Sequence, residues 1–361
     1  MTERLDLGAG LDHALEASVP GAAGLHDLVR ELLGGIEPTD PPHRLYRLTS
    51  RVFRFENALG TSWRSIVIKC LEPAVAQRTR LVVDRWLPAL GMSECAARLI
   101  GSAADRQGSC VWHACEDLGV ATLANRLEPE RIAAAVGAMA SLHARAARHP
   151  ILPDARRYAG YLGVQYFTAN VSDAIAAIER VRNAGIEPPA EYAGVLDRLV
   201  ARLLALLADA PRRAQVFFRA GGPDTLLHGD LWPINIFVSE SAGGFQARFI
   251  DWDRMGIGPF SYDLSTFVFR FPPAERDGIV QCYINARAAR EWRVPEPFEL
   301  DVLLDTSERA RYANRIIWPA QALVQNRAAW AFPELAEVER WFQDLDSAFA
   351  ARSRSSERTQ A

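Results

Sequence analysis

The spacing of hydrophobic positions changes several times along the chain, and each change marks an element. Over residues 1–35, Leu, Ala and Val recur at helical spacing and stop at Gly34-Gly35, which predicts a leading helix. From 44 to 70 the period drops to two. Phe53 and Phe55 alternate with Arg54 and Glu56, Asn57-Ala58-Leu59-Gly60 supplies turn chemistry, and Ser65-Ile66-Val67-Ile68-Lys69 resumes as a strand. In that second strand Ile66 and Ile68 share one face, while Val67 and Lys69 share the other. Residues 74–90 predict a helix, and 95–118 two short strands ending at Glu116-Asp117-Leu118-Gly119.

Beyond residue 119 the pattern turns helical. Ile132, Val136, Met139 and Leu142 form one stripe; Tyr192, Val195, Leu196, Leu199, Leu203 and Leu206 form another. A β segment at 226–251 interrupts, and helices return over 263–349. The pattern predicts an α+β chain: a small sheet-rich lobe over 1–117, a larger, mainly helical lobe over 118–350, and a disordered polar tail over 351–361.

Composition narrows the function classes. Of 361 residues, 49% are hydrophobic and 24% charged, with a net charge of −3. That balance offers no concentrated basic face for nucleic acid. No apolar run is long enough for a bilayer, so no membrane partner is expected. The segment MTERLDLGAGLDHALEA carries acids where a signal peptide needs an apolar stretch. The five cysteines (Cys70, Cys95, Cys110, Cys115 and Cys282) form no CxxC pair, which suits a reducing cytoplasm. Lys69 is the one lysine, the other 40 basic side chains being arginine. Such a bias reads either as a lysine kept where a compact ammonium is wanted or as a neutral survivor, and its position in the motif order favours the first.

Candidate chemistry concentrates in Leu227-His228-Gly229-Asp230-Leu231-Trp232-Pro233-Ile234-Asn235, followed by two apolar runs around Ser241-Ala242-Gly243-Gly244 and then Asp251. The two runs read as an antiparallel hairpin, which sets Asn235 beside Asp251. Magnesium takes hard oxygen ligands, one or two carboxylates with phosphates and water. Phosphoryl transfer further needs an in-line hydroxyl and an acceptor for its proton. In these terms Asp230 takes the proton, Asn235 and Asp251 hold the metal, and Lys69 pairs with nucleotide phosphates.

With Ile68-Lys69 upstream, HGDLWPIN followed by FIDWD, and Tyr262-Asp263-Leu264 downstream, the chain resembles the aminoglycoside phosphotransferase family and its choline-kinase-like relatives. The resemblance spans residues 40–270 by motif. It implies a two-lobed protein-kinase-like fold, ATP (or GTP) and Mg2+ as cofactors, and a monomer or homodimer acting on a small hydroxylated substrate. Residue by residue it implies Asp230 as catalytic base, Asn235 and Asp251 as metal ligands, Lys69 as the phosphate lysine, and His228 and Asp263 as supports of the catalytic loop. It further implies that Trp112 to Cys115 contact adenine through backbone groups, and that Leu142-His143-Ala144 lies on a helix. The phosphate-covering turn Leu48-Thr49-Ser50-Arg51-Val52 lacks glycine, which leaves Thr49 and Ser50 as hydroxyl contacts. The helix that should offer a glutamate to Lys69 offers none, Asp84 being the nearest acid.

Read singly, several residues have plainer roles. Asp253 reads as a solvated turn acid, with a second metal ligand as the alternative; Asp263 reads locally as a helix N-cap. Tyr158, Tyr161, Tyr166 and Phe167 read as core packing, the alternative being a platform for a sugar ring. The arginine pairs at 156–157 and 212–213 read as solvated. The expected function is ATP-dependent O-phosphorylation of a small molecule (an antibiotic, a sugar or a related metabolite). The rivals are a catalytically weak pseudokinase-like nucleotide-binding module and a glycosyltransferase using Asp251-Trp252-Asp253. Balanced charge over 150–215 and 270–350 favours a neutral or singly charged acceptor.

Overall fold

The computed structural model describes residues 3–5, 11, 21–38, 43–57, 64–105, 107–288 and 293–360. The chain divides into two compact units, Met1–Ala138 with Pro233–Met255, and Met139–Trp232 with Gly256–Ala361. The sequence reading divides it at 117/118; by contacts the hairpin at 236–249 belongs with the sheet.

The first unit is built on a six-stranded antiparallel sheet. Its strands are β1 (Glu3–Leu5), β2 (His43–Thr49), β3 (Val52–Asn57), β4 (Ser65–Leu71), β5 (Leu99–Ala104) and β6 (Val111–Glu116), in the order β1-β2-β3-β4-β6-β5. Within 1–35 helix is described at Leu11 and over α1 (Ala22–Leu32), and Glu3–Leu5 pairs with β2 as an edge strand, correcting the expectation of helix there. Three residues are too few to show a period, so pairing rather than pattern decides that conformation. The expected turn at Ala58-Leu59-Gly60 lies outside the described residues.

The alternation in β3 and β4 is realised. Phe53, Phe55, Ile66 and Ile68 are buried with Trp112 and with Leu25 and Leu28 of α1. The opposite faces of β4 and β6 remain for a cavity, because side chains alternate across a strand. Helix α2 (Pro73–Leu81) continues through a π turn at Val82–Trp86. A second two-stranded sheet, β9 (Ile236–Ser241) with β10 (Gly244–Phe249), completes this unit. It is fastened by single bridges, Ala96 to Phe249 and Thr122 to Phe237.

Helix α3 (Pro129–Ala146) carries the chain from the first unit into the second. The second unit is mainly helical: α4 (Leu152–Ala155), α5 (Val164–Asn183), α6 (Val195–Ala220), α7 (Ser261–Val268), α8 (Pro273–Ala288), α9 (Pro297–Asn326) and α10 (Ala331–Gln360). Helix α10 thus runs on to Gln360, through the stretch expected to be a disordered tail. Its core gathers α5, α6, α9 and α10, and takes up the stripe Leu196, Leu199, Leu203 and Leu206. A three-stranded sheet of β7 (Gly160–Tyr161), β11 (Gly256–Gly258) and β8 (Thr225–Leu227) delivers the chain to His228.

Candidate active site

In the first unit, the antiparallel register sets Lys69 opposite His113 and Val67 opposite Cys115. These four side chains therefore share one face, and all line a cavity of about 230 Å³. Leu48, Val52 and Leu71 wall it from the same sheet, and Phe237, Phe249 and Ile250 from the hairpin. The wall is largely apolar, as a ligand pocket needs, with one polar end at Lys69, Asp251 and Asp253; Arg54, Glu116 and Asp117 also line it.

That polar end is organised by Lys69. Its Nζ donates to Asp251 Oδ1 at 2.5 Å and to Asp253 Oδ2 at 2.8 Å. Burial works against the ammonium, but the charges of the two aspartates outweigh it and hold the lysine above its ordinary value. Asp253 is pushed up, by burial first and then by the neighbouring Asp251 charge. Asp253 is thus a partner of Lys69, which corrects the reading as a solvated turn acid. Two carboxylates on one ammonium in a partly desolvated site form a strong, directional contact.

The hairpin delivers Asp251 as the spacing implies. Phe249 pairs with Ile236, and the Ile250 N–H donates to the Asn235 carbonyl at 2.9 Å, so Asn235 and Asp251 sit at the same end. Asp251 has φ 66°, a left-handed conformation uncommon outside glycine, asparagine and aspartate. That reversal starts the short turn Trp252–Arg254, in which Asp253 also comes onto Lys69. Arg78 of α2 donates to the Asp253 carbonyl, fixing the turn from the helix side.

Among the described residues no group of three or more His, Cys, Asp or Glu side chains forms a ready metal cage. The oxygens present, an amide at Asn235 and carboxylates at Asp251 and Asp253, nonetheless suit magnesium. This ion is usually held by one or two carboxylates and completed by phosphate and water.

The other nucleotide residues named from the sequence fall in different places. Cys115 lines the cavity, and burial pushes its thiol up to about 11, so it stays a neutral, small apolar group. Trp112 lies on the opposite face of β6, wholly buried against Phe53, with ring centroids 6.0 Å apart. Strand alternation takes its indole away from the cavity, and the contact expected of Trp112 was one of backbone groups. Thr49 and Ser50 form the exposed β2–β3 turn, where the Arg51 N–H donates to Thr49 Oγ1 at 3.3 Å; neither lines the cavity, although their neighbours Leu48 and Val52 do. Asp84 pairs with Arg80 on the exposed side of its helix, at 3.3 Å, and not with Lys69. Thr79 and Val83, four apart, occupy the cavity-facing positions instead.

Asp117 anchors the end of β6. It accepts from Arg54 Nε at 2.7 Å, from the Ser65 hydroxyl at 2.7 Å and from the Gly119 N–H at 2.8 Å. Burial opposes its ionisation, but these donors hold its carboxyl below the usual range.

In the second unit, Asp263 is fully buried in the first turn of α7 and ties down the loop that carries Asp230. The His228 N–H donates to its Oδ2 at 2.7 Å, and the Gly229 N–H to its Oδ1 at 2.8 Å. His143 Nε2 adds a contact at 3.2 Å, while His143 Nδ1 meets the Tyr283 hydroxyl at 2.8 Å. Burial raises the cost of the charge, yet the His143 contact and the backbone donors keep the Asp263 carboxyl depressed. Gly229 has φ 81°, which a residue with a Cβ reaches only with strain. The Asp230 N–H in turn reaches His228 Nδ1 at 3.3 Å. His143, Asp263 and Gly229 together define the path of the loop up to Asp230. The part of His143 was legible only as its place on a helix, because a buried partner two elements away leaves no local signal.

Around Asp230 the unit is rich in arginine. The Asp230 charge acts on buried Arg311, which bonds Glu308 at 2.8 Å and lies 4.6 Å from the Tyr262 ring centre. Arg270 stacks on Trp232 at 4.0 Å and also reaches buried Glu308. Of the aromatics read as core, Phe167 is core, whereas Tyr158 and Tyr161 are exposed and Tyr166 is partly buried, edge-on to Tyr262. Arg213 is not solvated as expected. It lies on the buried side of α6 and donates to Asp305 at 2.6 Å and to Thr306 at 2.8 Å.

The model of the phosphotransferase enzyme family matches residues 51–298. A comparison with curated proteins finds no match. A crystal structure of spectinomycin phosphotransferase in complex with ADP and spectinomycin is similar over 90% of this chain and 97% of its own, with 14% identity and a TM-score of 0.57. An ethanolamine kinase of Plasmodium vivax is similar over 88% and 85%, with 11% identity and a TM-score of 0.53. At such identities the likeness is one of fold, and the fold is α+β and protein-kinase-like.

Proposed function

Because this chain belongs to the phosphotransferase enzyme family, we propose that it is an ATP-dependent kinase that moves a phosphoryl group onto a hydroxyl of a small molecule. The observation that carries this reading is the position of the chain's one lysine, bonded to Asp251 and Asp253 at the polar end of an apolar cavity.

In this reading the cavity takes the purine against Val52, Val67 and Phe249, and Lys69 pairs with the phosphates. Asn235 and Asp251 hold magnesium. When bound, the metal neutralises charge on the phosphate oxygens. Asp230 orients the acceptor hydroxyl and takes its proton, with the loop held by Asp263 so that the carboxylate stays in place. The arginines near Asp230 oppose a polycation, which supports a neutral or singly charged acceptor such as a sugar, a nucleoside or a macrolide.

The test measures ADP released from Mg-ATP across a panel of sugars, nucleosides, macrolides, aminoglycosides and choline, for wild type and Asp230→Ala. The expected result is acceptor-dependent ADP formation that falls about 10³-fold in the variant, while nucleotide binding persists. Undiminished turnover in Asp230→Ala contradicts the assignment of the base. Binding without acceptor-dependent turnover across the panel points instead to the catalytically silent nucleotide-binding module.

A further inference from the structure

The polar end of the cavity contains two groups that the proposed chemistry leaves unused. His113 is 2% exposed, lines the cavity directly across the strand pair from Lys69, and its buried Nδ1 has no hydrogen-bond partner among the described residues. Thr79 of α2 lines the same cavity, and its buried hydroxyl likewise has no partner among the described residues. A buried polar atom left unpaired is destabilising, so two of them lining one cavity with Lys69 call for a reason.

Lys69 supplies one. Its present partners are Asp251 and Asp253. Asp251 is also the carboxylate assigned to magnesium, and a carboxylate oxygen turned to a metal no longer serves the ammonium equally well. The ammonium has three donors, and helix α2 with its π turn sets Thr79 and Val83, not an acid, on the cavity. Residues directly opposite on paired strands have Cβ atoms about 5 Å apart, within reach of a lysine on the same face.

Resting on the functional reading above, we propose that His113 Nδ1, with Thr79 Oγ1, is the acceptor that holds Lys69 once metal and nucleotide engage Asp251. His113 is a positioning residue, acting on the phosphates through Lys69. Burial first, and then the charges of Arg80 and Lys69, push its imidazole down to about 4, so it is neutral near pH 7 and able to accept. A neutral acceptor also suits the site. It orients the ammonium without competing with phosphate for its charge, as a carboxylate would.

Three variants test this: His113→Leu removes the acceptor, His113→Asn keeps an acceptor oxygen close to the place of Nδ1, and Thr79→Val removes the hydroxyl. Calorimetry measures the affinity of a non-hydrolysable ATP analogue with and without magnesium, and thermal unfolding follows each free protein. Wild type is expected to bind more tightly with magnesium. His113→Leu is expected to lose about tenfold of the magnesium-dependent affinity, in line with a hydrogen bond to a charged group. Its metal-free affinity should be unchanged, and its unfolding temperature no lower than that of wild type. His113→Asn should restore most of the loss, and Thr79→Val should show a smaller one. A full magnesium effect in His113→Leu, or a His113→Asn variant as weak as His113→Leu, overturns the proposal while leaving the phosphotransferase reading intact. A wild type that binds no nucleotide in magnesium overturns both.

Discussion

Asp263 shows how much a single side chain can carry in this protein. Its carboxylate is fully buried and survives there because two backbone N–H groups and His143 are directed at it. Removing it leaves those donors unsatisfied, so Asp263→Ala should cost about 3–5 kcal/mol, read as a lower denaturation midpoint. The sign of the pH effect follows from the depressed carboxyl. The folded-state value lies below the unfolded one, so the contribution is fully present above the unfolded value. It is lost as pH falls through the folded value. Acid unfolding of wild type should therefore steepen below about pH 4, near the ordinary aspartate range, and Asp263→Ala should lose that part of the slope. Equal acid slopes in the two proteins contradict this. At this scale the sequence speaks unevenly. Lys69, Asp230 and Asp251 are conspicuous because their types and order match a known chemistry. Asp253 is not, since nothing in Asp-Trp-Asp reveals that Asp251 adopts a left-handed backbone and starts a turn onto Lys69.

Among the elements, the hairpin of β9 and β10 was the most legible, since two apolar runs around Ser241-Ala242-Gly243-Gly244 have few alternatives. The two faces of β4 could be read as well, and that division sets Lys69 in the cavity and Ile66 in the core. Strand β1 was hidden, because its conformation is imposed by β2. Helix α6 was legible as an amphipathic stripe, but Arg213 misled. On the buried side of the helix it follows Leu203, Leu206 and Ala210 at helical spacing, and it is tolerated there because α9 presents Asp305. A charged residue in a stripe signals burial only when its partner is known, and the partner lies 92 residues away. Arg213→Ala should destabilise by about 1–3 kcal/mol, because Asp305 loses one of its two arginine partners and keeps Arg309. A change under about 0.5 kcal/mol, the size typical of surface substitutions, contradicts a structural role for the pair.

For the whole molecule, the family match over 51–298 gives the class of chemistry, and the solved structures of small-molecule kinases share the fold. The acceptor is the least legible feature. In the reading proposed above it depends on side-chain packing among the helices, where Arg270 and Arg311 pair with buried Glu308 and leave no pattern along the chain. The cavity proposed for the nucleotide lies within one unit, which makes it separately testable. The most direct measurement compares wild type with Asp251→Asn for binding of a non-hydrolysable ATP analogue, with and without magnesium. If Asp251 holds the metal beside Lys69, magnesium tightens binding to wild type by tenfold or more, about 1.4 kcal/mol, and does little for the variant. An equal magnesium effect in both proteins would contradict the assignment of this site.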